Sequence, residues 1–207
     1  MSRFWGQPLG LPWGRPAPYR GWKSEVVRWM CWCLLVLSGW KLRGDWPPLK
    51  KAVMVAAPHT SNWDGLYMLA AAGYFRITLR WMGKASLARG PFGWLIKALG
   101  VVPIDRSARN DMVQAMCDAF AARDEMLLAV PPEGTRSRTP EWKSGFYHIA
   151  RKAEVPIILS VLDYGTSTIR IAGVFHPTGD YDADIAVIQS YYRGAVGKHR
   201  AKFAAGA

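Results

Sequence analysis

A histidine and a carboxylate five residues apart, His59 and Asp64, stand where an apolar run, Ala52–Ala57, gives way to the polar loop Pro58-His59-Thr60-Ser61-Asn62-Trp63-Asp64-Gly65. If the chain turns there from strand to helix, the carboxylate can bridge to one ring nitrogen. It would fix the imidazole tautomer and stabilise the imidazolium as it forms, leaving the other nitrogen to face a substrate. This is the His–Asp half of a catalytic triad without a protein nucleophile, so a substrate hydroxyl could take the place of serine. The same residues also fit a plain loop histidine followed by an N-capping aspartate.

A second polar loop follows the apolar run Met126–Val130: Pro131-Pro132-Glu133-Gly134-Thr135-Arg136-Ser137-Arg138. Glycine, exposed amides, hydroxyls and two guanidiniums suit a phosphate, because arginine binds it bidentately and backbone N–H groups can cradle its oxygens. A solvated basic turn has the same composition. The loop is not a nucleotide-binding P-loop, since no G-x-x-x-x-G-K-[ST] occurs. A third loop, Gly100–Arg106, adds the Arg106 guanidinium, and Lys84 could add a further cation.

These loops need a scaffold that ends strands close together. Apolar runs alternate with helical patterns along the chain. Strands are predicted over Ala52–Ala57, Thr78–Met82, Val101–Ile104, Met126–Val130 and Pro156–Leu162, with Thr168–Phe175 pairing to the last. Helices are predicted over Asp64–Tyr74, Pro91–Leu99, Asn110–Arg123, Ser144–Ala153 and Ala183–Phe203. The alternation predicts an α/β fold: a mixed, largely parallel sheet flanked by helices, with its ligand site at strand-end loops.

The N-terminal part differs. Seven of the 11 Trp fall within the first 46 residues, and the first 50 carry eight basic and two acidic side chains. Residues 1–23 form a Pro/Gly/Trp-rich segment unsuited to helix. A helix is expected over 24–43, with Ser24 as its N-cap. Its uncharged stretch, Trp29–Trp40, covers only about 18 Å as a helix against roughly 30 Å of bilayer hydrocarbon. An amphipathic helix lying in one leaflet fits better than a full span, with Lys and Arg reaching anionic headgroups. The alternative is a helix that caps the core. No cleavable signal peptide is expected.

The whole chain of 207 residues has 27 Lys and Arg against 15 Asp and Glu, a formal net charge of +12. That balance favours anionic partners without choosing among them. Nucleic acid is disfavoured, since no zinc spacing and no aromatic RNA-binding strand occurs. Three cysteines suit a reduced protein, and Cys31 and Cys33 are expected to point to different helix faces as small hydrophobes. No metal is expected.

Taken together, the loops resemble the lysophosphatidic acid acyltransferase family of glycerolipid acyltransferases. The family's H-x-x-x-x-D block appears as His59 to Asp64, its glycine-to-arginine block as Gly100 to Arg106, its E-G-T-R block as Glu133–Arg136, and its V-P-I-I block as Val155–Ile158. They occur in family order and span about residues 50–165.

The resemblance implies that residues 44–207 form an acyltransferase catalytic domain behind a membrane-associated helix at 24–43. His59 would be the general base and Asp64 its partner. Lys84, Arg106, Glu133, Gly134, Thr135 and Arg136 would hold the phosphate-bearing acceptor, and Pro156 would shape the acceptor or acyl site. Two positions after Lys84, where the family carries an acidic residue, this chain has Ser86. The implied reaction moves a fatty acyl group from acyl-CoA or acyl carrier protein to the free hydroxyl of lysophosphatidic acid or another lysolipid. It needs no cofactor. The implied location is the cytoplasmic face of the inner membrane, as a monotopic or peripheral protein on an anionic surface.

Other candidates are declined on the sequence. His148, His176 and His199 lack a comparable setting. No G-x-S-x-G elbow occurs, which argues against an α/β-hydrolase. The basic residues Lys198, Arg200 and Lys202 are expected on a solvated helix end.

Overall fold

The computed structural model describes residues 13–104, 109–139 and 141–203. In chain order the elements are α1 (Trp22–Leu37), β1 (Lys41–Arg43), β2 (Lys51–Ala57), α2 (Asn62–Tyr74), β3 (Leu79–Lys84), α3 (Ala85–Arg89), α4 (Gly93–Ala98) and β4 (Val101–Ile104). They continue as α5 (Arg109–Ala121), β5 (Met126–Val130), α6 (Gly145–Lys152), β6 (Ile157–Asp163), β7 (Thr168–Phe175) and α7 (Tyr181–Ser190), ending in a 3-10 turn at Arg200–Lys202.

The strands form one seven-stranded sheet in the order β1-β7-β6-β2-β5-β3-β4. β2 to β6 run parallel, β7 is antiparallel to β6, and β1 runs with β7. Parallel neighbours need long crossovers, which the helices supply while covering both faces. The strand period of two divides the core accordingly. Val53, Val55 and Ala57 face a cluster built with Met116, Phe120, Phe146, Ile149 and Ile188. Ala52 and Met54 face a second cluster with Leu35, Tyr74 and Phe75.

The largely parallel α/β sheet is as expected, and three strands (β4, β5 and β7) have the predicted bounds. The ends of the chain depart from expectation. Helix α1 starts at Trp22 with Gly21 as N-cap, so Ser24 lies inside it. β1 joins the sheet ahead of the boundary placed at residue 44, burying Leu42 between the exposed Lys41 and Arg43. The helix expected over Pro91–Leu99 is shorter, beginning at Gly93, and a separate turn of helix, α3, precedes it.

The largest correction is at the C-terminus. α7 stops at Ser190 instead of running to Phe203. Gly194 has φ +77°, which a right-handed helix excludes. Beyond it the chain becomes an arm that turns back to the sheet: Tyr164 N–H donates to Val196 O at 2.8 Å, and Val196 N–H donates to Asp163 Oδ1 at 3.0 Å.

The N-terminal tryptophans divide between two roles. Trp40 and Trp46 are buried, while Trp22 and Trp29 stand in solvent. The start of the described chain is packed too: Ala17 N–H donates to Phe75 O, and Trp46 N–H donates to Arg15 O, each at 3.0 Å. Arg28 does not reach outward. It stacks on Tyr74 at 5.0 Å and pairs with Glu25 at 3.4 Å.

Candidate active site

β2 and β5 lie side by side with Val55 opposite Val130, so the loops that follow them leave the sheet on one edge. The first loop is short because α2 begins at once. Ser61 is the helix N-cap, and Asp64, at the third helical position, closes a capping box with it. The Asp64 carboxylate is nearly saturated. Oδ2 accepts the backbone N–H groups of Thr60 at 2.6 Å and Ser61 at 2.7 Å, and Oδ1 accepts the hydroxyls of Ser61 at 2.6 Å and Tyr164 at 2.7 Å.

His59 Nδ1 sits 3.4 Å from Asp64 Oδ2. The carboxylate is 3% exposed and the imidazole 26%, so the ring lies between a buried anion and the surface. Burial alone would raise the Asp64 carboxyl, but the hydrogen bonds from His59, Ser61 and Tyr164 outweigh it and bring the pKa down to about 2. Asp64 therefore stays ionised at any working pH, able to fix one tautomer of His59 and to stabilise its protonated form.

Tyr164 was not singled out from the sequence. It comes from the turn after β6, 100 residues beyond Asp64. Its ring is caged by Trp40, with centroids 4.8 Å apart, and Trp40 also packs on Tyr67 at 4.5 Å. Burial and the neighbouring Asp64 charge push the Tyr164 phenol well above its ordinary range, so it remains a donor. A tryptophan expected at the membrane thus braces the group that orients Asp64.

Glu133 is placed differently from a headgroup contact. It is 4% exposed, and its Oε1 accepts the backbone N–H of His59 at 2.9 Å. Oε2 has no hydrogen-bond partner among the described residues. Burial raises the carboxyl above the usual range, against the lowering effect of the His59 bond. Glu133 thereby ties the second loop to the first and sets the height of His59. Glu133→Ala is expected to lose about 1–3 kcal/mol of stability in urea unfolding, because it strands a buried N–H. Glu133→Gln keeps an acceptor and sheds the buried charge. Since the raised carboxyl costs stability once pH exceeds the ordinary range near 4.5, the glutamine variant is expected to match or exceed wild type at pH 7 and to lose that advantage below pH 4.

From Gly134 to Arg138 the second loop is exposed. Gly134 has φ +63°, and a Cβ there would meet Lys143 Cδ at 2.7 Å. Thr135 Oγ1 accepts the Ser137 N–H at 3.2 Å. Arg136 Nη1 donates to Asn62 Oδ1, which points the guanidinium at the first turn of α2. The backbone of Lys84 ends β3 opposite Ile104 of β4 on the same sheet edge. Arg106 lies outside the described residues. Pro156 is not brought to this edge: Ile157 sits opposite Val53, at the start of β2, which puts Pro156 roughly 16 Å down the sheet from Ala57. There its carbonyl accepts the Val53 N–H at 3.0 Å. Among the described residues no group of three or more His, Cys, Asp and Glu could hold a metal.

Comparison with known proteins agrees with this geometry. Residues 41–161, more than half of the chain, match the Acyltransferase family. An uncharacterized acyltransferase of Schizosaccharomyces pombe is 32% identical over 136 residues, covering 61% of this chain and 45% of that protein. A probable 1-acyl-sn-glycerol-3-phosphate acyltransferase of Mycoplasma pneumoniae is 34% identical over 115 residues, covering 53% and 43%. The human 1-acyl-sn-glycerol-3-phosphate acyltransferase alpha is 30% identical over 125 residues, covering 56% and 42%. The chain thus spans less than half the length of these curated relatives. The crystal structure of the 1-acyl-sn-glycerophosphate acyltransferase PlsC from Thermotoga maritima shares the fold, with a TM-score of 0.57 at 18% identity over 81% of this chain and 75% of that one. With the match spanning both loops that meet at His59, the chain belongs to the acyltransferase family.

Proposed function

We propose that the protein transfers a fatty acyl group from an acyl thioester, carried on coenzyme A or acyl carrier protein, to the free hydroxyl of lysophosphatidic acid. The observation that carries this is the His59–Asp64 pair, in which the adjacent Ser61 hydroxyl donates to Asp64 and, among the described residues, no serine or cysteine side chain is hydrogen-bonded to the His59 ring. His59 takes the acceptor's hydroxyl proton as its oxygen attacks the thioester carbonyl, and returns it to the departing thiolate. Asp64 stabilises the imidazolium between the two steps. No cofactor enters this scheme. Two relatives named as acylglycerol-phosphate acyltransferases support the choice of acceptor.

The test is thioester consumption by the detergent-purified protein, with acyl-CoA and acyl carrier protein donors and a panel of lysolipids. Transfer to lysophosphatidic acid is the expected result. Transfer confined to another lysolipid keeps the chemistry and moves the acceptor, and no transfer in any pairing overturns the reading.

The site would work at a membrane surface. No helix among the described residues is long and apolar enough to cross a bilayer. On α1, however, Trp22, Val26, Trp29, Met30 and Leu37 are exposed at helical spacing, while Leu35 is buried and Cys31 packs close to Gly73 of α2. Lys23 lies in the first turn of the same helix, and the exposed Lys41 and Arg43 follow it in the chain. This suits an interfacial helix on anionic lipid, at the cytoplasmic face if the donor is cytoplasmic. Replacing Trp22 and Trp29 together by serine is expected to weaken binding to phosphatidylglycerol vesicles about tenfold or more in flotation. Unchanged flotation would remove α1 from the membrane contact.

A further inference from the structure

The C-terminal arm, which lies beyond the family-matched residues, reaches the catalytic loop. Gly197 is buried against it: a Cβ there would meet Thr60 Cγ2 at 2.6 Å and Oγ1 at 2.9 Å, a clearance only glycine allows. His199 N–H then donates to Thr60 Oγ1 at 3.2 Å. Lys198 Nζ sits 4.7 Å from the centre of the Trp63 ring. With the Asp163–Val196–Tyr164 hydrogen bonds at its base, the arm is fixed to the site at several points.

Between arm and loops lies an open cleft of about 440 Å³ whose walls include Asn62, Trp63, Arg136, Lys198, His199 and Lys202. Arg136, Lys198 and Lys202 are basic side chains, and no carboxylate lines the cleft. Among the described residues none of the three is in a salt bridge. The cleft is also bounded by Thr60 and Ser61, the residues next to His59. Three uncompensated cations beside the general base would repel one another unless an anion joins them, and a phosphate dianion offsets two of the three charges while accepting hydrogen bonds from all of their donors.

We infer that Lys198 and Lys202 of the C-terminal arm complete, opposite Arg136, a binding site for a phosphate monoester carried by a substrate. The inference rests on the acyl-transfer reading for its two sources: the headgroup of lysophosphatidic acid and the 3′-phosphate of coenzyme A. Arg136 holds one side through the strand-end loop, and the arm supplies the other.

The test is equilibrium binding by the full chain in detergent, comparing wild type with the double variant Lys198→Glu/Lys202→Glu. The probes are lysophosphatidic acid against monoacylglycerol, and coenzyme A against dephospho-coenzyme A. Charge reversal is expected to weaken binding of the phosphate-bearing member of one pair by about tenfold or more, with its partner lacking the phosphate little changed. Loss confined to lysophosphatidic acid assigns the cleft to the acceptor, and loss confined to coenzyme A assigns it to the donor. Equal binding of all four probes by both proteins, with near-ultraviolet circular dichroism unchanged, overturns the inference even if the enzyme is active. A protein that loses phosphate-selective binding on charge reversal yet acylates nothing would keep this site and sink the proposed reaction.

Discussion

His59→Ala is expected to lower kcat for acyl transfer about a thousandfold, in the middle of the range for removing a general base. The KM values for donor and acceptor should change little. The imidazole is partly open to solvent, and although its contact with Asp64 is lost, the backbone N–H is still accepted by Glu133 in the variant. The thermal midpoint should therefore stay near that of wild type. The Asp64 carboxylate keeps its donors from Thr60, Ser61 and Tyr164, so no buried charge is stranded. A fall in kcat without a rise in KM identifies an interaction made in the transition state and not in the ground state. A loss smaller than tenfold would mean that the acceptor hydroxyl is activated by something else, and His59 would be left as a loop residue beside a capping aspartate.

Much of this arrangement is legible in the sequence because it is local. The His59–Asp64 spacing, the strand before it and the helix after it all lie within Ala52–Tyr74, where strand and helix periods are plain. The neighbouring loop at Glu133–Arg136 is equally visible as a group of donors. What could not be read is which way its members turn. A glutamate beside glycine, threonine and arginine is expected in water, yet the parallel pairing of β2 with β5 swings Glu133 inward to the His59 backbone. Tyr164 has no local signal at all. It reaches Asp64 only because β6 pairs with β2 in a register that places its end at the same edge.

The N-terminus was only partly legible, and the C-terminal reading failed, for a related reason. Aromatic and basic residues near the N-terminus describe an interfacial helix and a buried brace equally well. Trp29 lies on the exposed side of α1, while Trp40, beyond the helix, is buried against Tyr67 of α2 and Tyr164, contacts that arise only once the sheet is assembled. At the other end, apolar residues at helical spacing suggested one long helix to Phe203. Gly194 and Gly197 were the signal that could have divided it, since one adopts positive φ and the other permits a contact that no side chain would.

The second large effect is expected at Asp64, where Asp64→Asn should reduce kcat about a hundredfold and also remove part of the protein's acid sensitivity. The amide can keep most of the hydrogen bonds. Its oxygen can face the N–H groups of Thr60 and Ser61, and its NH₂ can face the hydroxyls of Ser61 and Tyr164, which are free to turn and accept. What it cannot supply is the negative charge that stabilises an imidazolium at 3.4 Å. The pH dependence separates this charge from a merely structural role. The folded carboxyl titrates at about 2 against an ordinary 3.8, so its stabilisation is present in full above pH 4 and is lost as pH falls towards 2. That difference corresponds to about 2 kcal/mol. Urea midpoints measured between pH 6 and pH 2.5 should fall more steeply for wild type than for Asp64→Asn. Tyr164→Phe, which removes one donor and leaves the charge, should keep most of the activity. If Asp64→Asn retained wild-type kcat while its stability changed as expected, the aspartate would be a helix cap alone, and His59 would act without an anionic partner.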